Sequence, residues 1–211
     1  MTIREIQSSI SGGEGQLIEF KKKVAHPEKI VREIVAFANS NGGELYIGVD
    51  DDGKISGLKF AEEDKFALEK AILRYCRPRI KFSSEIIKIS EKKSIIRYTI
   101  FESPKKPHYV IEDKKGKAYV RVKDRSVQAS KEIREILRRS RNVKDVKFHF
   151  GDKEKMLMQY LQSNEYITIK QLAEMAGISK YMASRTLVLL VLANVLKVIP
   201  RELEDWYVLN S

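Results

Sequence analysis

The segment Phe37–Gly53 (FANSNGGELYIGVDDDG) constrains the fold more than any other part of the chain. It begins within an amphipathic helix predicted from Pro27 onward, since proline needs no N–H partner at a helix start. Asn41–Gly43 then ends the helix with residues that tolerate positive φ. The run Glu44–Val49 predicts a buried strand, and Asp51–Lys54 has the composition of a hairpin turn. A helix that leads into a buried strand and a tight turn indicates an α+β fold.

Helical and strand patterns continue through the first 140 residues. A short strand is predicted at Gln16–Phe20, and Ala61–Cys76 predicts a second helix. The apolar side of that helix is predicted to consist of Phe66, Leu68, Ile72 and Leu73. Further strands and a closing helix are predicted at Phe82–Ile89, Ser94–Phe101, Tyr109–Ile111, Ala118–Val122 and Ser130–Arg139. We expect these elements to form a mixed sheet with helices packed on it.

The pattern changes after residue 140, which predicts a second and smaller domain. A polar, basic linker at residues 141–151 separates a domain at 1–140 from one at 152–211. Thr168 and Ser179 are predicted N-caps of helices in the second domain. The predicted elements are helices at Lys153–Leu161, Thr168–Ala176 and Ser179–Leu192, then strands at Leu196–Ile199 and Trp206–Leu209. Helices in this order before a hairpin are typical of a winged helix-turn-helix domain.

The composition favours a polyanionic partner. The chain carries 40 Lys+Arg against 29 Asp+Glu, a net charge of +11, which indicates nucleic acid first and an anionic membrane surface second. A basic surface that serves only solubility is the alternative. Cys76 is the single cysteine, which excludes an intramolecular disulfide and a cysteine-rich zinc site. Without a signal peptide or a membrane-length apolar run, we expect a cytoplasmic protein that does not bind membranes.

Three acids flank the first elements. Glu14 and Glu19 border the first strand, and Asp51 lies just past the end of the next one. If they converge, they supply the oxygen ligands for Mg²⁺ or Mn²⁺ that metal-dependent phosphodiester hydrolysis requires. Lys21, two residues after Glu19, faces the same side of the strand and would place a cation near the phosphate. The alternatives are structural: Glu14 in a flexible loop, Glu19 paired with Lys21 or Arg32, and Asp51 serving its turn.

Residues 10–140 resemble the DNA-binding domain that is named for AlbA-like proteins and shared with the Schlafen family. The matching motifs are Glu14-x4-Glu19-Phe20-Lys21, Ala36-Phe37-Ala38-Asn39, Gly42-Gly43 and Ile47–Gly53, with weaker matches at Pro107-His108-Tyr109 and Tyr119–Val122. The resemblance implies an α+β domain that binds nucleic acid. Because bacterial proteins of this kind commonly attach a helix-turn-helix module, it also implies a DNA-binding transcriptional regulator.

The same resemblance implies an alternative function. Schlafen proteins with RNase activity use three acids, which map here onto Glu14, Glu19 and Asp51. The alternative is therefore a Mg- or Mn-dependent endoribonuclease in which these acids bind the metal and Lys21 assists. Those nucleases pair two lobes into a clamp, so this one-lobed chain would need to form a homodimer. An ATPase is not expected, because the chain lacks a G-x-x-x-x-G-K-[ST] motif.

Basic and polar side chains in both domains are candidates for nucleic-acid contacts. In the first domain these are Lys21, Lys22, Lys23, Lys105, Lys106, Arg121, Lys123 and Arg125. In the second domain they lie at the start of the third helix and are Ser179, Lys180, Tyr181, Ser184 and Arg185. The alternative for each lysine or arginine is an ordinary solvated charge.

The predicted wing, Arg201–Asp205, is acidic, and the second domain as a whole is only weakly basic. This composition suits dimerisation or protein docking nearly as well as DNA binding, so an adaptor is a third possible function. The leading prediction is a nucleic-acid-binding protein that regulates transcription and forms a homodimer. The choice between DNA and RNA is left open.

Overall fold

The computed structural model describes residues 3–112, 116–140 and 150–210. They form two compact units, which divide between Gln128 and Ala129. The helix at Lys131–Arg139 therefore belongs to the second unit, although the sequence pattern placed it at the end of the first domain. The predicted linker, residues 141–151, lies almost entirely outside the described residues, so the predicted domain bounds remain predictions.

The first unit has a mixed sheet at its centre. Its elements are α1 (Ile3–Ile10), β1 (Ile18–Lys21), α2 (Pro27–Asn39), β2 (Gly43–Ile47), α3 (Ala61–Tyr75), β3 (Cys76–Arg77), β4 (Phe82–Ser90), β5 (Lys93–Ile100), β6 (Tyr109–Val110), β7 (Tyr119–Val122) and β8 (Arg125–Gln128). The sheet order is β1-β2-β5-β4, with β1 and β2 parallel and the other pairs antiparallel. Helix α2 supplies the crossover that the parallel pair requires. The predicted α+β class with a mixed sheet is confirmed.

Apolar side chains project from both faces of this sheet and pack in two clusters. On β2, Leu45 and Ile47 join the core cluster that includes residues of α2 and α3. Tyr46, which points the other way, packs with Phe20 and with Ile6 of α1. Because side chains alternate along a strand, Glu19 lies on the face opposite its neighbour Phe20. This alternation places Glu19 beneath α2, inside the fold.

Two short strand pairs complete the unit. Strand β3 pairs with β6, and β7 pairs with β8, both antiparallel. The sequence pattern missed β3, which is the direct continuation of α3, and β8, whose residues Arg125–Gln128 are mostly polar. The apolar side predicted for α3 is wrong in part. Leu68 and Ile72 are buried, but Phe66 and Leu73 are 69% and 58% exposed because the core takes only one face of the helix.

The second unit contains helices followed by a hairpin, in the predicted order. Its elements are α4 (Lys131–Arg139), α5 (Asp152–Ser163), α6 (Ile169–Ala176), α7 (Lys180–Leu192), β9 (Leu196–Ile199) and β10 (Trp206–Leu209). The predicted N-caps are confirmed, since Thr168 accepts a hydrogen bond from Gln171 N and Ser179 accepts one from Met182 N. Leu172, Leu187 and Tyr207 are buried in its core, and β9 and β10 pair antiparallel.

Among the described helices, none is by itself long and apolar enough to cross a membrane. The pair α6 and α7 reaches the required length and composition only when both helices are counted together across their bend.

Candidate functional site

Glu14 lies in the loop before β1 and is tied to that strand. Its Oε1 accepts a hydrogen bond from the backbone N–H of Phe20 at 2.8 Å. Burial raises the pKa of the Glu14 carboxyl, and repulsion from Glu19 and Asp51 raises the pKa further. Glu14 therefore lies within electrostatic reach of both Glu19 and Asp51. The contact to Phe20 also gives Glu14 a structural role.

Glu19 is buried, with 5% of its surface exposed. Its Oε1 accepts a hydrogen bond from Lys21 Nζ, and its Oε2 lies 2.9 Å from Arg121 Nη1. One structural alternative considered from the sequence, pairing with Lys21, is thus observed, while Arg32 pairs with Glu112 instead. Both carboxylate oxygens of Glu19 face cations, so an added divalent cation would have to displace them.

Arg121 is the centre of this cluster, and its side chain is completely buried. Besides Glu19, its Nη1 contacts Glu33 Oε2 at 3.0 Å, and its Nη2 donates to Gly15 O at 2.7 Å. The guanidinium also lies 4.7 Å from the centroid of the Phe37 ring. A phosphate cannot reach a guanidinium that is enclosed in this way. The structure therefore assigns Arg121 a structural role in place of the predicted nucleic-acid contact.

Sequence reasoning missed Glu33, the second acid bound to Arg121. Its Oε2 accepts a hydrogen bond from the Ser126 hydroxyl. Burial raises the pKa of the Glu33 carboxyl, and repulsion from Glu19 adds to that rise. The available signal was the position of Arg121 within the otherwise apolar strand β7, because a buried arginine requires acidic partners.

The side chains at the predicted metal site are not arranged as a set of ligands for a metal ion. Glu19 already holds two cationic partners. Asp51 is exposed in its turn and borders a cleft of about 510 Å³ together with residues of α1 such as Gln7 and Ile10, but Glu14 and Glu19 do not line that cleft. Among the described residues, no group of three or more His, Cys, Asp or Glu side chains is placed to hold a metal ion. The catalytic and metal-binding roles of Glu14, Glu19, Asp51 and Lys21 remain predictions.

Asn39, the last residue of α2, connects this helix to the segments around His108 and Tyr119. Its buried Nδ2 donates to His108 O at 3.0 Å and to Tyr119 O at 2.9 Å, and its Oδ1 accepts from His108 N at 2.7 Å. The next residue, Ser40, accepts from Arg121 N through its hydroxyl at 2.9 Å. The end of α2 thereby fixes the segments around His108 and Arg121. The motifs that are far apart in the sequence are direct partners in the structure.

The other basic candidates of the first unit differ in their exposure. Lys21 is half-buried against Glu19, and Lys106 is half-buried with its Nζ donating to Ser40 O at 2.6 Å. Lys22 Nζ lies 3.4 Å from Asp50 Oδ1. The exposed members of the set are Lys22, Lys23, Lys105, Lys123 and Arg125. They come from three segments: the residues just after β1, the loop before β6, and the turn after β7 with the first residue of β8.

The start of α7 is exposed in the second unit. Lys180, Tyr181 and Arg185 are all exposed, and Tyr181 has 66% of its surface in solvent. Ser184 differs, because its hydroxyl donates to Glu132 Oε1 of α4 at 2.7 Å. The structure therefore separates Ser184, which is engaged within the unit, from the solvent-facing candidates.

The connection from α6 to α7 is short and sharply bent. Helix α6 ends at Ala176, Gly177 adopts φ +62°, and Ser179 caps α7. The two helices are bent by 115°, within the range of about 90–120° for helix-turn-helix pairs.

The turn before β10 is held against the unit by polar and aromatic contacts. The guanidinium of Arg201 lies 3.9 Å from the centroid of the Trp206 ring, which stacks on Tyr166 at 3.9 Å. Glu204 Oε1 lies 3.4 Å from Lys170 N at the start of α6. The acidic wing predicted from the sequence is thus anchored to the helices beside it.

Comparison with known proteins adds two findings. Residues 14–130 match the family model described as Schlafen, AlbA_2, which covers more than half of the chain. A solved structure, the DIP2311 protein from Corynebacterium diphtheriae, is 18% identical over 66% of this chain, with a TM-score of 0.48. The aligned part spans 31% of the DIP2311 chain.

Proposed function

The chain belongs to the Schlafen, AlbA_2 family, which is associated with nucleic-acid binding, and from this premise we propose that it is a DNA-binding transcriptional regulator. The first unit would hold the phosphate backbone and the second would recognise sequence. We further propose that the second unit is a winged helix-turn-helix domain and that the protein acts in the cytoplasm.

One observation carries the regulatory proposal, namely the geometry of α6 and α7. A Gly-containing turn and a bend of 115° are the features of a helix-turn-helix, whose second helix enters the major groove with its N-terminal residues. Lys180, Tyr181 and Arg185 occupy that end of α7 and are exposed. An arginine can bind the O6 and N7 atoms of guanine with two hydrogen bonds, so we propose Arg185 as the base-contacting residue.

The exposed cations of the first unit support a sequence-independent contribution. Five of the candidate side chains are exposed, so that phosphate can reach their charges: Lys22, Lys23, Lys105, Lys123 and Arg125. Each phosphate neutralised in duplex DNA adds about 0.9 to the slope of log affinity against log salt. Arg121 and the half-buried Lys21 are left out of this proposal, because their charges are used by Glu19 and Glu33.

The nuclease alternative receives less support from the same contacts. A hydrolytic metal needs carboxylate oxygens with open coordination, whereas those of Glu19 are paired with Lys21 and Arg121. We therefore retain the acids as structural residues in the proposed function. A homodimer formed to complete a nuclease clamp is not needed by the regulatory proposal.

The regulatory proposal is tested with duplexes selected from random sequence by the full chain. Arg185→Ala is expected to weaken binding to the selected duplex by about 1–3 kcal/mol and to affect scrambled duplexes little. Lys22→Ala serves as the phosphate-contact control and should weaken all duplexes alike. Equal loss on every sequence with Arg185→Ala would show that this residue does not contact bases.

A second copy of the chain is the partner we propose for the wing. Leu203 is fully exposed, at 101%, between Glu202 and Glu204 in a protein whose net charge is +11. An apolar side chain flanked by acids suits a basic surface of another copy, which also agrees with the two-fold symmetry common in helix-turn-helix regulators. Light scattering of the Leu203→Ser variant tests this, and an unchanged molar mass would exclude the wing as the dimer contact.

A further inference from the structure

Helix α3 has an outer face that remains exposed within the part of the chain that the structure describes. Phe66 and Leu73 are seven residues apart, so they lie on one side of the helix. They are 69% and 58% exposed, and Phe101, just after β5, is 42% exposed. Burying these side chains in the core would have been favourable, by about 1.5–3 kcal/mol for each large apolar residue. Phe66 and Leu73, exposed together on one side of a helix, make that side a candidate for a binding surface.

The end of α3 and the segment that follows it are positively charged. Residues 70–81 contain five cations and no acid. All five side chains are exposed: Lys70, Arg74, Arg77, Arg79 and Lys81. Glu62 and Glu63 are exposed on the same side of α3, four and three residues before Phe66, whereas the carboxylate of Glu69 accepts from the Ser84 hydroxyl at 2.8 Å. A polyanion is therefore the ligand that this segment would attract.

Cations and aromatic rings are paired on this surface. Lys70 Nζ lies 6.0 Å from the centroid of the Phe66 ring, and Lys81 Nζ lies 5.3 Å from that of Phe101. The two pairs are linked through the chain, because α3 leads through residues 76–81 into β4. The backbone N–H of Phe101 donates to Lys81 O at 3.2 Å. Each ring thus has a positive charge on one side and remains accessible to a second ligand.

We propose that this surface, defined by Phe66, Lys70, Leu73, Arg74, Arg79, Lys81 and Phe101, binds single-stranded nucleic acid. Exposed rings beside cations are the elements of a stacking surface, in which unpaired bases stack on the rings and phosphates meet the charges. Bases in a duplex are already stacked on each other and cannot stack on these rings. The proposal goes beyond duplex binding by α7, and it concerns different residues.

The test compares a short fluorescent oligothymidylate with a duplex in anisotropy titrations of the full chain. Phe66→Ala is expected to weaken oligothymidylate binding by about tenfold, the effect of losing one base–aromatic stack, and to leave duplex binding unchanged. Phe60→Ala is the matched control, because Phe60 is similarly exposed at 65% but lies at the N-terminal end of α3, ten residues before the first cation of the segment 70–81. It should leave both affinities unchanged.

The charges are tested separately through salt dependence. The double variant Arg74→Gln with Arg79→Gln should reduce the salt slope for oligothymidylate by about 1.4, since each single-strand phosphate contact contributes about 0.7. The control double variant, Lys88→Gln with Lys92→Gln, removes two exposed charges on β4 and its turn. It should leave the slope unchanged. Phe66→Ala should lower affinity without changing the slope.

Several results would overturn the proposal. One is failure of the wild-type chain to bind oligothymidylate while it binds duplex, which would leave the regulatory proposal standing. Another is equal loss of both ligands with Phe66→Ala in a protein that melts at the wild-type temperature. A third is binding to phosphatidylserine vesicles that depends on Phe66 while oligothymidylate binding does not, which would identify a membrane-facing surface.

Discussion

Arg121 Nη1 lies 2.9 Å from Glu19 Oε2, and both side chains are buried. These residues belong to motifs at opposite ends of the first unit, one on β1 and the other on β7. The pair explains why both motifs occur together in one chain: each supplies the charge that makes burial of the other tolerable. An acid that looked like a metal ligand in the sequence is thus a partner of an arginine.

Removing the arginine should strongly destabilise the first unit. Arg121→Ala leaves the carboxylates of Glu19 and Glu33 buried without their shared cation, and loss of one partner of a buried pair costs about 3–5 kcal/mol. Urea unfolding followed by circular dichroism measures this change. Arg79→Ala removes an exposed arginine and should change stability by less than about 0.5 kcal/mol. A similar small effect for Arg121→Ala would contradict the structural role.

The buried amide of Asn39 should be equally important. Asn39→Ala leaves three buried backbone groups without partners, namely the N–H and C=O of His108 and the C=O of Tyr119. Each such group costs about 1–3 kcal/mol when unpaired, so the loss should be at least about 3 kcal/mol. Asn41 is exposed just after α2 and provides the matched control. Its alanine variant should unfold close to the wild-type midpoint.

Divalent metal should not depend on Glu19 for binding. Because the oxygens of Glu19 face Lys21 and Arg121, millimolar Mn²⁺ should change the melting temperature of the wild type and of Glu19→Gln by the same amount. Differential scanning fluorimetry provides the comparison. A ligand specific to the folded state raises stability progressively with its concentration. Such a rise in the wild type alone would show that metal displaces the cations and would restore the nuclease alternative.

The loop acid Glu14 should make stability depend on pH. Burial and the repulsion from Glu19 and Asp51 raise the pKa of its carboxyl in the folded state. Between the ordinary pKa of about 4.3 and the raised one, the folded state binds more protons than the unfolded state. The stabilising contribution is therefore fully present below pH about 4.3 and is lost as the pH rises through the folded pKa.

Glu14→Gln removes this titration but keeps an oxygen that accepts from Phe20 N. The variant should be more stable than the wild type at pH 7, and the difference should vanish near pH 4, as measured by urea unfolding at both values. Glu91→Gln, at the exposed turn between β4 and β5, should follow the wild type at both values. A variant that is less stable than the wild type at pH 7 would show that the hydrogen bond outweighs the cost of burial.

Much of the local structure follows from short-range patterns. Pro27 and the asparagine-glycine pair after Ser40 bound α2, and Thr168 and Ser179 start their helices as predicted. These signals are local, because a cap or a turn is decided by a few adjacent residues. The exposure of Phe66 was not predictable in this way. Its helical spacing fits a core position, and only the placement of the sheet on the other side of α3 leaves it in solvent.

The class of the first unit, the order of helices and hairpin in the second, and the net positive charge all follow from sequence patterns. Helical and strand periodicities, glycines and ionisable groups carry that information without reference to distant residues. The roles of the charged residues, in contrast, depend on which side chains the fold brings together. Whether Glu19 meets a metal or Arg121, and whether Arg121 meets a phosphate or Glu33, depends on contacts between segments about one hundred residues apart. Burial then decides the outcome, because an enclosed charge is stable only beside its partner.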